Sequence, residues 1–188
     1  MIDRSFFIQP TVTVAQALLG MTLSVYHQKY TIRARICETE AYTQEDPACH
    51  AYGGRQTDRS KPMFLNGGHI FIYMIYGMYH CLNIVTEPAG RGCSVLIRGV
   101  TVTDGLEAVQ YHRGESINPS DLTNGPAKLM IGLGIPCTWN ELDIVDPSSP
   151  LQISGQSISS TAIESTTRIG ISRGKTHPWR FYIRKTVD

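Results

Sequence analysis

Glu40 is the residue whose type and position most directly suggest catalysis. It lies near the end of a predicted strand, two residues before Tyr42 and shortly before a polar loop. A carboxylate at a strand end beside an aromatic ring is a common arrangement for a general base acting over a flat substrate. The alternative is a surface carboxylate paired with Arg33 or Arg35, and residue types alone leave both interpretations open.

Three tyrosines, Tyr73, Tyr76 and Tyr79, fall in one predicted hairpin with Tyr76-Gly77 in its turn. Aromatic residues are frequent in strands, so ordinary core formation explains most such clusters. Tyr76 differs because a large aromatic side chain beside a turn glycine lies at an exposed tip, where its apolar surface is unfavourable unless it inserts into a partner. Insertion between two base steps of a nucleic acid is one such use.

The segment Gly53-Gly54-Arg55-Gln56-Thr57 combines paired glycines with an arginine. Paired glycines let the backbone approach a ligand, and Arg55 offers a planar set of donors to a phosphate. The segment is not a P-loop, because the required strand, Lys-Ser/Thr pair and following helix are missing. His50, Asn83 and Arg98 complete the polar candidates, although each residue alone is more often structural than functional.

The hydrophobic pattern predicts the elements that must position these side chains. It indicates an α+β fold, a single mixed domain over residues 1–188 with a largely antiparallel sheet, peripheral helices and the hairpin. Predicted helices cover residues 11–19, 105–111 and 126–133. Predicted strands cover residues 21–25, 30–42, both arms of a hairpin over 69–86, 93–100, 151–153, 168–171 and 179–184. Regular alternation along the strand 30–42 would put Glu38, Glu40 and Tyr42 on one face, beside the core-facing set of that strand.

Composition and charge restrict the class of protein. The 188 residues are 41% hydrophobic and 18% charged, which excludes disorder, collagen-like repeats and coiled coils. The net charge of +1 is too small to indicate a nucleic-acid partner. However, residues 53–98 carry five basic and two acidic side chains, and residues 164–188 carry six and two. These two segments could form one positive face or remain solvated surface, whereas the acidic stretch 104–146 would repel phosphate.

The cysteines and the apolar segments indicate the cellular compartment of the protein. Five cysteines in no CxxC spacing favour neither a disulfide framework nor a zinc site, so a reducing compartment and no metal or other cofactor are expected. The N-terminal apolar run is interrupted at Gln9 and Pro10, unlike a signal peptide, and the most apolar stretch, 70–85, is too short to cross a membrane. We therefore expect an intracellular protein without a membrane partner.

A set of short motifs follows one order along the chain. Its members are Glu38-Thr39-Glu40-Ala41-Tyr42, His50, Gly53-Gly54-Arg55-Gln56-Thr57, Met63-Phe64, Ile75-Tyr76-Gly77-Met78-Tyr79, Asn83, Val95-Leu96-Ile97-Arg98, Gly125-Pro126-Ala127-Lys128-Leu129 and Arg180-Phe181-Tyr182. In this order they resemble the alkyladenine DNA glycosylase family, the 3-methyladenine DNA glycosylases of the mammalian type, over about residues 13–185. The resemblance implies a mixed α/β fold whose hairpin enters the DNA minor groove, with no helix-hairpin-helix and no catalytic metal.

The resemblance also implies a role for each matching residue. Glu40 would activate water, and Arg98 would help to hold that water. Tyr42 and Tyr73 would stack on the flipped base, and His50 would enclose it and bind it through its backbone. The DNA-facing hairpin would contribute Tyr76, which fills the gap in the duplex, Asn83, which crowds the 2-amino group of guanine, and the neighbours Met78 and Tyr79.

Two departures from the mammalian members stand out. Compared with them, the segment between Tyr42 and His50 looks one residue shorter. The resemblance covers none of their long N-terminal extension, so we expect the chain to correspond to the catalytic core. The sequence thus predicts a monofunctional DNA glycosylase that removes alkylated and deaminated purines from double-stranded DNA and initiates base excision repair. We expect a monomer, because base flipping requires no second copy.

Two alternatives from other classes remain. One is a lesion-binding module without catalysis, which would keep the tyrosines and Arg55 but could lose the carboxylate. The other is a hydrolase of free nucleosides or small glycosides that uses Glu38 and Glu40 as a carboxylate pair. A hairpin wedge argues against the second, because a small substrate leaves no gap to fill.

Overall fold

One antiparallel sheet runs through residues 2–184, the part of the chain that the computed structural model describes. Its eight strands are β1 (Thr22–Tyr26), β2 (Thr31–Tyr42), β3 (Ile70–Ile75), β4 (Tyr79–Val85), β5 (Ser94–Asp104), β6 (Leu151–Ser154), β7 (Ile163–Thr166) and β8 (Arg180–Ile183). The strand order is β3-β4-β5-β2-β1-β6, with β8 paired to the end of β2 that β1 leaves free and β7 paired to β8. The predicted antiparallel sheet is confirmed.

Four short α-helices accompany the sheet: α1 (Arg4–Phe7), α2 (Thr11–Ala17), α3 (Leu106–Arg113) and α4 (Pro126–Gly132). Val14 of α2 and Leu129 of α4 are fully buried in the main apolar core, which lies against one face of the sheet. Gly20, just beyond α2, has a φ of 85°, a conformation that favours glycine and ends a helix. None of the helices in the described range is long and apolar enough to cross a membrane.

An irregularity in β2 decides which side chains reach the other face of the sheet. The register of β2 against β5 shifts between Ile36 and Glu38 and again between Glu38 and Thr39. Before the shift, the even-numbered Ile36 is buried in the main core. After it, the odd-numbered residues face that core, and the Thr39 hydroxyl donates to Ala15 O at 2.8 Å. Glu40 therefore faces away from the main core. The expectation of one regular strand is wrong here, because a bulge re-aims the residues that follow it.

The predicted hairpin is confirmed in β3 and β4. Its turn is closed by Met78 N–H, which donates to Ile75 O at 3.2 Å. Both central residues have positive φ, 51° at Tyr76 and 71° at Gly77. Positive φ at both central positions is the pattern of a type I′ turn. Three residues, 76–78, separate the paired Ile75 and Tyr79. The turn thus holds Tyr76 at the tip of a two-stranded arm.

The C-terminal part differs from the sequence prediction in one segment that matters for the site. Residues 168–171 form no strand; the N–H of Ile169 donates to a side chain instead of a neighbouring strand, and Gly170 has a φ of 78°. Strand β7 and helix α1, each four residues long, were not predicted, because so short an element carries too little periodicity.

Candidate active site

A cleft of about 990 Å³ opens on the face of the sheet opposite the main core. Strands β2 to β5 form its floor, while the loop after β2, the hairpin tip, the start of α4 and residues 169–173 form its walls. The volume lies in the range of sites for small organic groups, roughly 300–1,000 Å³. The cleft is lined by seven residues proposed from the sequence: Glu40, Tyr42, His50, Tyr73, Tyr76, Asn83 and Arg98.

Glu40 is fully buried on the cleft floor, and it is the one carboxylate among the described residues that line the cleft. Its Oε2 accepts the Tyr42 hydroxyl at 2.7 Å, and its Oε1 accepts Ile169 N–H at 2.9 Å. The Arg98 guanidinium lies 3.5 Å from the same Oε1. Each carboxylate oxygen has a second lone pair, so acceptor capacity remains for a ligand. The alternative of a surface carboxylate is wrong, because Glu40 is buried.

Arg98 connects the two carboxylates of β2. Its Nε donates to Glu38 Oε1 at 2.9 Å while its Nη1 faces Glu40. Arg180 of β8 donates to the same Glu38 oxygen at 2.5 Å. Glu38 is therefore the counter-ion of two guanidinium groups, and Glu40 is left as the carboxylate directed into the cleft.

Aromatic rings form one wall of the cleft. Phe71 stacks behind Tyr73, with ring centroids 5.3 Å apart and an interplanar angle of 27°. Burial raises the pKa of the Tyr42 and Tyr73 phenols well above the ordinary range, and the Glu40 carboxylate adds to the shift at Tyr42. Both phenols are therefore neutral at physiological pH and present apolar rings with a donor hydroxyl.

His50 stands edge-on to Tyr73, with centroids 4.5 Å apart and an interplanar angle of 73°. The surrounding protein desolvates the imidazole and the Arg59 guanidinium adds positive charge, so the pKa of His50 is lowered. The ring is therefore neutral near pH 7. The short loop between β2 and His50 thus still delivers this residue to the cleft.

Asn83 is held rigidly on the floor of the cleft. Its side chain is almost fully buried, and Nδ2 donates to Phe71 O at 3.1 Å and to Cys81 O at 3.4 Å. Its cross-strand neighbour on β5 is Leu96, which also lines the cleft. Two bonds to backbone carbonyls fix the amide, so it cannot move aside without losing them.

The remaining predicted residues lie at or beyond the rim. Tyr76 is 84% exposed at the hairpin tip and reaches the edge of the cleft. Met78 and Tyr79 are exposed on the same hairpin but do not line the cleft. Arg55 is exposed in the loop after the Gly53-Gly54 turn, also outside the lining.

Three basic residues not proposed from the sequence line the cleft: Arg59, Lys128 and Arg173. Arg59 and Arg173 come from the two segments with excess positive charge, which gave the only sequence signal for them. Lys128 comes from the acidic stretch and belongs to the Gly125-Pro126-Ala127-Lys128-Leu129 motif. Long-range folding thus brings both basic segments to one opening.

No group of three or more His, Cys, Asp or Glu residues that could hold a metal ion occurs within residues 2–184. The cleft combines one oriented carboxylate, neutral aromatic walls and a cationic rim. This combination suits a flat, uncharged or cationic group attached to a polyanion.

Comparison with known proteins decides the family. The family model described as methylpurine-DNA glycosylase matches residues 5–187. The chain belongs to the methylpurine-DNA glycosylase family. Relatives carrying the name "Putative 3-methyladenine DNA glycosylase" occur in Carboxydothermus hydrogenoformans (38% identity, 98% of this chain and 95% of the relative), Methanoculleus marisnigri (39%, 97% and 95%) and Bdellovibrio bacteriovorus (40%, 97% and 95%).

Membership of the methylpurine-DNA glycosylase family gives the reaction class. The chain is a hydrolase that acts on N-glycosyl bonds, and DNA is the molecule on which it acts. The family resemblance stated from the ordered motifs is thereby confirmed.

Proposed function

We propose that this protein flips a damaged purine out of double-stranded DNA and hydrolyses its N-glycosidic bond with water activated by Glu40. The observation that carries the proposal is the Glu40 carboxylate, held by donors from β2, β5 and the segment after β7 at the floor of a cleft with aromatic walls. The roles proposed for the other residues of the cleft depend on this position of Glu40.

The reaction forms one bond and breaks another at C1′ of the deoxyribose. The water oxygen attacks C1′ while Glu40 accepts a proton from that water. The C1′–N bond breaks, and its electron pair leaves with the purine. Such a displacement passes through an oxocarbenium-like state, which a nearby carboxylate stabilises. The Arg98 guanidinium lies 3.5 Å from Glu40 Oε1, which supports a role for Arg98 in orienting both the water and the carboxylate. A cationic alkylated purine leaves as the neutral base, whereas hypoxanthine leaves as an anion and takes up a proton from solvent. Glu40 returns its proton to solvent, and the products are an abasic site and the free purine.

The pocket for the flipped base is formed by Tyr42, Tyr73 and His50. Stacking of a base on an aromatic ring contributes roughly 1–3 kcal/mol and tolerates any purine. An electron-poor or cationic purine gains further from the ring quadrupole. The neutral His50 adds a backbone contact to the base. Breadth of substrate follows, with alkylated and deaminated purines both accepted.

The hairpin tip supplies the wedge for flipping. Removing a base from the stack costs a few kcal/mol, less when its pairing is already damaged. Tyr76 offsets part of this cost by filling the gap, and its exposure together with its type I′ turn supports the role. Met78 and Tyr79 contact the DNA beside it, and Arg55 contacts a phosphate.

Selection against undamaged guanine falls to Asn83. Hypoxanthine is guanine without the 2-amino group, and a fixed amide in that place admits one and excludes the other. The two bonds from Asn83 Nδ2 to backbone carbonyls support this role, because only an immobile side chain can exclude a base.

Two rival functions meet specific obstacles. A hydrolase with a Glu38–Glu40 pair needs Glu38 free, yet Glu38 accepts from both Arg98 and Arg180. A lesion-binding module has no use for a buried, oriented carboxylate, whose desolvation is costly. Strand cleavage through a Schiff base is not expected either, because Lys128, the one lysine among the described residues that line the cleft, donates to Asn124 Oδ1 at 2.7 Å. The protein acts as an intracellular monomer without a cofactor.

One assay separates these functions. Purified protein is incubated with a duplex bearing a single hypoxanthine, a duplex bearing 7-methylguanine, and the free nucleoside inosine. We expect base release from both duplexes, no release from inosine, and no strand break or borohydride-trapped adduct. Release from inosine would favour the small-substrate hydrolase, and binding without release would favour the lesion-binding module.

A further inference from the structure

A buried guanidinium behind the cleft joins several parts of the site. Arg168 is 5% exposed and does not line the cleft. Its Nη1 donates to Ala41 O at 2.8 Å and to Asp46 Oδ2, while its Nη2 donates to Asp46 Oδ1 at 2.9 Å and to Gly174 O at 3.2 Å. One side chain therefore binds three separate segments of the chain.

Each of these partners belongs to a segment that carries a site residue. Ala41 separates the two cleft residues at the end of β2. Asp46, itself buried, begins the loop that leads to His50. Gly174 ends the segment whose Ile169 N–H donates to the catalytic carboxylate. The hydrogen bonds of one guanidinium thus fix β2, the loop that leads to His50 and the segment 169–174 relative to one another.

The same guanidinium covers a ring of the base pocket. Its Cζ lies 4.6 Å from the centroid of Tyr42 and 5.3 Å from that of Trp179. A cation over an aromatic face is attracted by the ring quadrupole, and this attraction holds the ring plane. Because Arg168 covers one face of Tyr42 from behind the cleft, the other face is left for a purine.

Stability alone gives little reason for this arrangement. A buried ion pair often stabilises a fold no better than apolar residues of similar volume, because both charges lose their hydration. Arg168 Nε, moreover, is buried without a hydrogen-bond partner among the described residues. The pair with Asp46 does provide a bidentate geometry, which a single point charge cannot reproduce.

We propose that Arg168 is a positioning residue for base excision. It sets the Tyr42 ring, the His50 loop and the Ile169 amide in one arrangement, and through them it keeps the Glu40 carboxylate directed at the sugar. The inference rests on the proposed role of Glu40 and adds a residue that touches neither substrate nor reacting atoms.

The test compares Arg168→Lys and Arg168→Met with Arg4→Met. Lys keeps the positive charge but cannot serve four acceptors, whereas Met removes charge and donors together. Arg4 is a matched control, because it also joins distant segments, donating to Gly67 O at 2.6 Å and pairing with Asp143, yet lies outside the cleft. Three quantities are measured: the thermal midpoint, the Kd for a duplex containing hypoxanthine, and the first-order rate constant of base release with protein in saturating excess.

A positioning role predicts that both Arg168 variants lose on the order of 10²-fold in the first-order rate constant, with Arg168→Lys the smaller loss. Arg4→Met should lower the thermal midpoint but keep the rate constant within about threefold. A saturating rate constant does not depend on the folded fraction, so a merely structural role would lower the midpoint and leave the rate constant unchanged. If Arg168→Met does not fold, Arg168→Lys decides.

Near-wild-type rate constants in the folded Arg168 variants would overturn this inference while leaving the proposed function intact. Failure of the unmodified protein to release hypoxanthine would instead contradict the proposed function, and this inference with it.

Discussion

Replacing Asn83 by Ser should let the enzyme remove undamaged guanine. The Asn83 amide is fixed on the cleft floor by its bonds to Phe71 O and Cys81 O, where it would meet the 2-amino group of guanine. Serine is shorter and leaves that space open. A stacking pocket made of tyrosines attracts guanine as well as hypoxanthine, so the amide must supply much of the discrimination.

Two effects of Asn83→Ser can be given a magnitude: the gain in guanine excision and the loss of stability. Excluding one small group from a pocket is worth about 1–3 kcal/mol, which corresponds to roughly 10- to 200-fold in rate, so guanine excision should rise by that factor relative to hypoxanthine excision. Two hydrogen bonds of about 0.5–1.5 kcal/mol each are lost at the same time. The stability loss of about 1–3 kcal/mol should lower Tm by roughly 2–12 °C.

Single-turnover release of guanine from a G·T mispair and of hypoxanthine from an I·T mispair provides the measurement. Asn140→Ser is the matched control, because the Asn140 side chain also bonds the backbone of β3, accepting Ile72 N–H at 2.8 Å, but does not line the cleft. The control should lose stability without releasing guanine. If Asn83→Ser folds, excises hypoxanthine and leaves guanine untouched even in the mispair, the discrimination lies elsewhere in the pocket.

Three further changes test other parts of the site. Tyr76→Ala should weaken activity on duplex more than on single-stranded substrate, because only a duplex has a gap to fill. Tyr111 is an equally exposed tyrosine on α3, and Tyr111→Ala should affect neither activity. Equal losses on both substrates in Tyr76→Ala would refute the role of Tyr76 as a wedge. Glu38→Gln should reduce the single-turnover rate by no more than about tenfold, since Glu38 only balances guanidinium charge; a loss matching that of Glu40→Gln would restore the carboxylate-pair alternative. Arg59→Gln should raise the pKa of His50 towards its ordinary value without reaching it, because desolvation remains; an NMR titration in which the His50 pKa does not rise would contradict this.

Local sequence signals predicted the elements and most of the site. Alternation along residues 30–42, the turn glycine after Tyr76 and the glycine after α2 each reflect a backbone preference that tertiary contacts only reinforce. The ordered motifs then identified seven of the residues that line the cleft. These features could be predicted because each depends on neighbours a few positions apart.

Features that depend on distant segments could not be predicted. The bulge at Glu38 reverses the side to which the following residues of β2 point. In the sequence it appears only as a change of the apolar positions from even-numbered Ile36 to odd-numbered Ala41, which does not by itself locate a bulge. Residues 168–171 have the composition of a strand, yet Arg168 is committed to Asp46 and Ile169 N–H to Glu40. Only the assembled sheet shows these partners, which lie more than a hundred positions away in the sequence.

The single-turnover rate of Glu40→Gln tests the central claim most directly. Gln fits the same space: its Oε1 can accept Ile169 N–H, and its amide can donate to the Tyr42 oxygen, so folding and lesion binding should be kept. It cannot accept the proton of water. We predict a loss on the order of a hundredfold or more in base release from a hypoxanthine duplex, with Kd changed by less than about threefold. A folded variant that binds the duplex and releases hypoxanthine at nearly the wild-type rate would show that Glu40 is not the base.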